Sequence, residues 1–464
     1  MSKMSISQIE MLEQEISELM REFKIPGFAI GIVKDDKPFY AKGFGARNLE
    51  KNLPFTEDTL FGIGSISKSF STIAIMQLVE QGKIDLQDPV NKYLNLKLGD
   101  DSNPIKICHM LSHSSGIPEL DGNIIAIARQ LGSFGTIIPM SSVNDFLLHM
   151  NNATSEIFDK PGKYFFYNND MFTCAGLIIE NITGIEYYEY IKNYILMPLK
   201  MNRSIYLRED FQKDKNILTG YLPSEESKPF KTSDHPFDKF IYAPGGLLTS
   251  AKEMQNYIIM LIQGGKFQDS EILQKSSIEE MWKPYIRTPY GAEDAWYCLG
   301  WVSERFLGHR LIQHGGNVAT SSAYLAIIPE EKMGVIVGAN CDASSVLGAI
   351  ARKVLGILLN EDINKAAPFL NVHKKLKSLT GKYKTYKEIQ TMEITLTNGI
   401  LYLKLEDPIE PKPTTLPLVI ENFDELKFYV PVVYPNQEIK VQFFIDDSTN
   451  KVDLTYDRYY FHKV

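Results

Sequence analysis

Two hairpin-forming stretches lie far apart in this chain, and they constrain its fold more than any other feature. GFAIGIVKDDKPFYAKGFG (Gly27 to Gly45) sets two apolar runs around a charged turn at Lys34 to Lys37. YLAIIPEEKMGVIVGAN (Tyr324 to Asn340) repeats the scheme around a polar turn. The residues between them, from about Asp85 to Asp238, are rich in helical patterns and loops. TIAIMQLVE (Thr72 to Glu80) predicts a buried helix that stops at Gly82. SSVLGAIARKVLGILL (Ser344 to Leu359) predicts an amphipathic helix behind the second hairpin. Strands at both ends with helices inside predict an α+β domain over residues 1–365: an antiparallel sheet flanked by helices, with a helical subdomain at about 85–238.

The pattern changes at about Asn360 to Lys377. Beyond it the period is two, and MEITLTNGILYLKL (Met392 to Leu405) alternates around Asn398-Gly399, a strong hairpin signal. KVQFFIDDSTNKVDLTY (Lys440 to Tyr456) follows the same scheme. Residues 378–464 are therefore expected to form a small closed β-barrel, since closure removes exposed edges. At 464 residues the chain exceeds one ordinary core, so two or three domains are expected. A net charge of -8 and the absence of a basic tract argue against nucleic acid as a partner, and HKKLK from His373 reads as a solvated linker. The four cysteines lie far apart, without the spacing of a zinc site or a disulfide framework. No apolar run is long enough for a membrane span, and the N-terminal segment reads as an amphipathic helix through Ile9, Leu12, Ile16, Leu19 and Phe23. A cytoplasmic protein without membrane contact is expected.

LFGIGSISKSFSTIAIMQ (Leu60 to Gln77) crowds Ser65, Ser67 and Ser69 around Lys68. Three readings compete. A phosphate-binding loop would need G-x-x-x-x-G-K-[ST]; Gly62 to Ser69 fits except at Ser67, where the second glycine belongs, and no apolar strand precedes it. A nucleophilic serine would need a base, and on a helix Ser65 and Lys68 share a face. A bland alternative is a polar first turn capping a buried helix. S-x-x-K alone does not decide, since about two such matches arise by chance in a chain this rich in Ser and Lys.

Two distant stretches add partners. In PGKYFFYNNDMFTCAGLIIE (Pro161 to Glu180), Tyr167, Asn168 and Asn169 sit in a polar loop before an apolar helix. In LIQHGGNVATSSAYLAIIP (Leu311 to Pro329), His314, Gly315 and Gly316 end a strand-like run, and paired glycines leave room for a substrate backbone at a strand edge. With S-x-x-K, Y-x-N and H-x-G in this order, the chain resembles the serine β-lactamase-like hydrolases, the group of class C β-lactamases, D-alanyl-D-alanine carboxypeptidases and related esterases. HMLSHSSGIP from His109 and APGGLLTSAKEM from Ala243 support the likeness, which spans about residues 10 to 360. The tail is similar to lipocalin-like barrels appended to some members.

The resemblance implies a β-lactamase/transpeptidase-like fold and a Ser65 acyl-enzyme, with Lys68 and Tyr167 sharing the proton work. Protonated His314 would help to depress the Tyr167 phenol. The backbone N–H groups of Ser65 and Asn317 would form the oxyanion hole, and Asn169, Gly315 and Gly316 would bind substrate, with Asn169 alternatively orienting Lys68. No cofactor or metal is implied. His109 and His113 have the i, i+4 spacing a helix could offer to zinc, yet a third ligand is not evident, so both are read as structural. Ser67 and Ser69 are read as bystanders on other helix faces. Trp282, Trp296 and Trp301 are read as core. Where penicillin-recognising members carry lysine, this chain has His314, only partly charged at pH 7 and shorter in reach. That departure favours a small ester, amide or peptide substrate, D-amino-acid peptides included, over a β-lactam. β-Lactamase or penicillin-binding activity, a non-catalytic binding protein on the same fold and an NTPase stand as alternatives. The barrel is expected either to cover the mouth of the site or to build a homo-oligomer.

Overall fold

The computed structural model describes residues 6–99, 102–132, 138, 140–224, 230–406, 414–431, 438–446, 448–449 and 451–464. It divides into two compact units, Met1–Ala366 and Ala367–Val464.

In the first unit the two hairpins meet. Strands β1 (Gly27–Lys34) and β2 (Lys37–Asn48) turn through Asp35 and Asp36, both at positive φ (53° and 57°), the twist a two-residue hairpin turn needs. With β3 (Leu53–Pro54), β4 (Ile286–Arg287), β5 (Trp296–Tyr297), β6 (Val302–Phe306), β7 (His309–Asn317), β8 (Ser322–Ile328) and β9 (Met333–Ala339), they form a nine-stranded sheet in the order β4-β5-β6-β7-β8-β9-β1-β2-β3. Every neighbouring pair is antiparallel. β1 lies inside the sheet, which explains why its residues are apolar on both faces.

Register assigns the faces. Gly31 pairs with Ile336, Ile336 with Leu325, and Leu325 with His314, so these four share one face. Tyr324 and Val337 lie on the other. Among the helices, α1 (Ile6–Glu22), α2 (Ser67–Glu80), α3 (Asn169–Thr183), α4 (Lys239–Gly245), α5 (Ala251–Ile262) and α6 (Ser344–Leu359) are the ones that matter here. α5 packs on the face of Gly31 and Ile336, and α6 on the face of Tyr324. α2 is buried nearly all round, the polar side chains of its first turns included. One hydrophobic core runs from Ala29 and Ile336 of the sheet through Phe70 and Ile73 of α2 to Phe146 and Phe172 of the helical region. The helical insertion therefore shares the core of the sheet. It also contains a short hairpin, Gly220–Pro223 with Phe230–Ser233. Trp282 and Trp301 are core residues, whereas Trp296 is half-buried under the Arg287 guanidinium, 4.6 Å away.

The second unit is a closed eight-stranded barrel preceded by helix α7 (Pro368–Ser378). Its first strand, Gly381–Lys384, pairs with its last, Tyr459–Lys463, which completes the closure. Asn398 and Gly399 form the tight turn between Thr391–Thr397 and Ile400–Glu406 at φ 52° and 79°. Alternate residues such as Met392, Ile394, Leu401, Leu403, Phe443 and Phe461 fill the interior. Leu376 of α7 joins that core, so HKKLK ends a packed helix and is not the solvated linker expected from its charge. Among the described residues no helix is long and apolar enough to cross a membrane. All four cysteines are buried and free.

Candidate active site

The Ser-rich stretch enters α2 through a 3-10 turn, Gly64–Ile66. Ser65 lies in this turn, two residues before the start of the α-helix on which the spacing argument placed it. A 3-10 turn eclipses residues three apart, so the pairing is kept. Lys68 Nζ is 3.0 Å from Ser65 Oγ, 2.7 Å from Asn169 Oδ1 and 2.8 Å from the Pro244 carbonyl. Its ammonium also faces the rings of Tyr167 (4.8 Å) and Phe172 (5.4 Å). Lys68 is fully buried, and burial pushes its pKa down to about 7 against the opposing charge of Glu119. Ser65 stays half-exposed.

The neighbouring serines are anchors, not bystanders. Ser67 Oγ accepts from the Leu247 N–H at 3.2 Å. Ser69 Oγ meets the Tyr257 hydroxyl at 2.7 Å, and Ser71 Oγ meets that of Tyr187 at 2.8 Å. Three hydroxyls thus tie α2 to segments distant in sequence.

Asn168 caps α3 by accepting from the Met171 N–H at 2.9 Å, which fixes the loop carrying Tyr167. Tyr167 is half-buried and feels the Ser65 hydroxyl. Burial raises its phenol pKa above the ordinary value, and the Ser65 hydroxyl only partly opposes this. The Asn169 amide is held at both ends: Oδ1 accepts from Lys68, and Nδ2 donates to Glu119 Oε2 at 2.8 Å.

His314 is brought to the same place by β7 but not in the expected state. Burial, then the Lys68 charge, push its imidazole down to about 3, so it is neutral at pH 7. Its Nδ1 donates to the Gly315 carbonyl at 2.5 Å, and its Nε2 accepts from the Tyr297 hydroxyl at 2.9 Å. It cannot supply the positive field that sequence reasoning assigned to it. Beyond it, β7 presses against the 3-10 turn. A Cβ on Gly64, already at φ 51°, would stand 2.3 Å from Asn317 N, and one on Gly316 would stand 1.9 Å from Ile63 O and 2.8 Å from Ser65 N. Glycine at both positions is what lets the Ser65 and Asn317 backbones lie side by side.

Residues 12–357 match the beta-lactamase family. The chain belongs to the beta-lactamase family. Residues 363–462 match the Pab87 octamerisation domain. The octameric penicillin-binding protein homologue from Pyrococcus abyssi is similar over both units: 36% identical, TM-score 0.89, covering 98% of this chain and 100% of that one. Protein flp of Staphylococcus aureus is 25% identical over 79% of this chain and 69% of its own length. The fold is shared with a D-stereospecific amidohydrolase from Streptomyces sp., 22% identical, TM-score 0.59, over 73% of this chain and 97% of that one.

Glu119 and Tyr290 of this beta-lactamase-family domain escaped sequence reasoning, and His113, read there as structural, has a specific structural task. His113 does not share a helix with His109, because that helix ends at Leu111 and His113 turns to φ 57°. Its carbonyl accepts from the Phe166 N–H at 2.9 Å and its Nδ1 from the Asn168 N–H at 3.0 Å, so it grips the chain on both sides of Tyr167. Its ring lies 4.1 Å from that of Tyr167. Glu119, on the loop that follows, holds Asn169. Tyr290, half-exposed, sets its ring edge-on to Phe165 (5.6 Å) and Tyr167 (5.8 Å) and extends the aromatic cluster around Tyr167. Among the described residues no group of three or more His, Cys, Asp or Glu could hold a metal ion.

Proposed function

We propose that this protein is a serine hydrolase that cleaves a small ester, amide or peptide bond through an acyl-enzyme on Ser65. The observation that carries the reading is Lys68. An ammonium has three hydrogens to donate, a neutral amine two hydrogens and one lone pair. Two of the partners of Lys68, Asn169 Oδ1 and the Pro244 carbonyl, can only accept. The third, the Ser65 hydroxyl, can give its proton to a lone pair. With a pKa near 7, the neutral amine that fits this pattern is well populated at physiological pH.

The steps follow from these placements. Lys68 takes the Ser65 proton as Oγ attacks the carbonyl carbon. The oxyanion that forms is met by the backbone N–H groups of Ser65 and Asn317. Tyr167, kept protonated by burial, hands its proton to the leaving atom and is reprotonated from Lys68. Water then enters, and the same groups run the sequence in reverse to free Ser65. Asn169 acts by orienting Lys68, while Gly315 and Gly316 offer strand backbone to the substrate. The neutral His314 gives no cation for the carboxylate of a β-lactam, which favours esters and peptides. The exposed Tyr290 ring against Tyr167 supports an apolar group on the substrate. The name of the Streptomyces neighbour keeps D-amino-acid amides among the candidates.

Intact-mass analysis after exposure to a fluorophosphonate or an activated ester tests the reading. One adduct on wild type, absent from Ser65→Ala, is expected. No adduct, or an equal one on Ser65→Ala, overturns it and leaves a non-catalytic binding protein. The C-terminal barrel supports a second assignment, a homo-oligomer, on the strength of the octamerisation match and the octameric relative.

A further inference from the structure

Asn169 presents its oxygen to Lys68 and its NH2 to Glu119. The opposite orientation would point two donors at a donor and an oxygen at an acceptor-only carboxylate. Glu119 Oε2 also accepts from the Asn169 backbone N–H at 2.7 Å, so one carboxylate oxygen binds both nitrogens of the residue. Oε1 is steadied by the Asp121 N–H at 3.3 Å. The loop itself is pinned by Asn168, whose Nδ2 donates to the Ile117 and Pro118 carbonyls at 3.3 and 2.7 Å.

We propose that Glu119 is a positioning residue for the Ser65–Lys68 pair, locking the Asn169 amide in the orientation that receives Lys68 and placing one negative charge within reach of its amine. The proposal rests on the serine-hydrolase reading. Of the titratable groups around Lys68, His113 and His314 are held neutral by burial and Tyr167 is a neutral phenol. Asp121 and Asp170 lie beside Glu119. Asp170 accepts from the Gly122 and Asn123 N–H groups and is pushed up to about 7 by burial and then by the Glu119 charge. Glu119 is the carboxylate whose charge is felt at Lys68, where it opposes the burial that drives the proton off. It therefore both fixes the direction of the Lys68 hydrogens and holds back their loss.

The test separates the two effects. The acylation rate of Ser65 by an activated ester is measured on the full chain between about pH 5 and 9 for wild type, Glu119→Gln and Glu119→Asp. Glu119→Gln removes the charge, so the acid limb of the rate should move down by about one pH unit. Its plateau should also fall at least about tenfold, because an amide does not dictate the orientation of Asn169. Glu119→Asp keeps the charge but falls short of both Asn169 donors, so the limb should stay and the plateau fall similarly. An unmoved limb in Glu119→Gln, or a wild-type plateau in Glu119→Asp, overturns the proposal while leaving the hydrolase reading standing. If Glu119→Gln does not fold, the Glu119→Asp plateau alone decides. Absence of acylation on wild-type Ser65 overturns both.

Discussion

A lysine in water keeps its proton until about pH 10.4, so an exposed lysine would be an almost useless base at neutral pH. Complete burial removes that obstacle at Lys68, and the pH dependence follows with a definite sign. The folded pKa is lowered to about 7; the competent neutral form is lost as pH falls through that value. The acylation rate should drop about tenfold for each pH unit below 7 and level off above it, which a stopped-flow profile with an activated ester would check. Lys68→Arg, charged at every accessible pH, should cost at least about a thousandfold in the same assay with the fold intact. His314 gives a third expectation. It is neutral and engaged with Tyr297, so His314→Lys should raise acylation by a β-lactam if a missing cation is what limits it; an unchanged rate would refute that account.

At the scale of elements, α2 is held by hydroxyls that reach outward. Ser71 donates to the Ala243 carbonyl at 2.7 Å and meets Tyr187. Ser71→Ala should destabilise the protein by about 1–3 kcal/mol, because it strands a buried phenol and a buried carbonyl; urea unfolding measures it. The legibility of the sequence divides along the same line. The pairing of Ser65 with Lys68 was readable because a spacing of three survives the change from α to 3-10 turn. The hairpins and α6 were readable because hydrophobic period and turn residues are local signals, and Asn398-Gly399 placed a barrel turn correctly. The partners of His113 and Glu119 were not readable. Their bonds to Asn168 and Asn169 span 55 and 50 residues, and a left-handed φ at His113 breaks the helical spacing on which a zinc reading depended. The neutrality of His314 was hidden for a similar reason: burial is a property of the assembled core.

For the whole molecule, deleting residues 367–464 should reduce the oligomer, an outcome that native mass spectrometry of the full and shortened chains would check; identical assembly would count against the barrel as the assembling unit. The sheet has its own long-range demand, since β1 near the start of the chain is completed only by β9 near the end of the first unit. Pairings of such sequence separation form slowly. A nascent chain halted before β7 already carries Ser65, Lys68 and Tyr167, yet it lacks the Gly316–Asn317 backbone that lies against the Gly64 turn. Under the proposed function, synthesis delivers the nucleophile early and its oxyanion partner late. On that reading Ser65 leaves the ribosome as an ordinary alcohol, and the hydrolase exists only once the last strands of the sheet have docked.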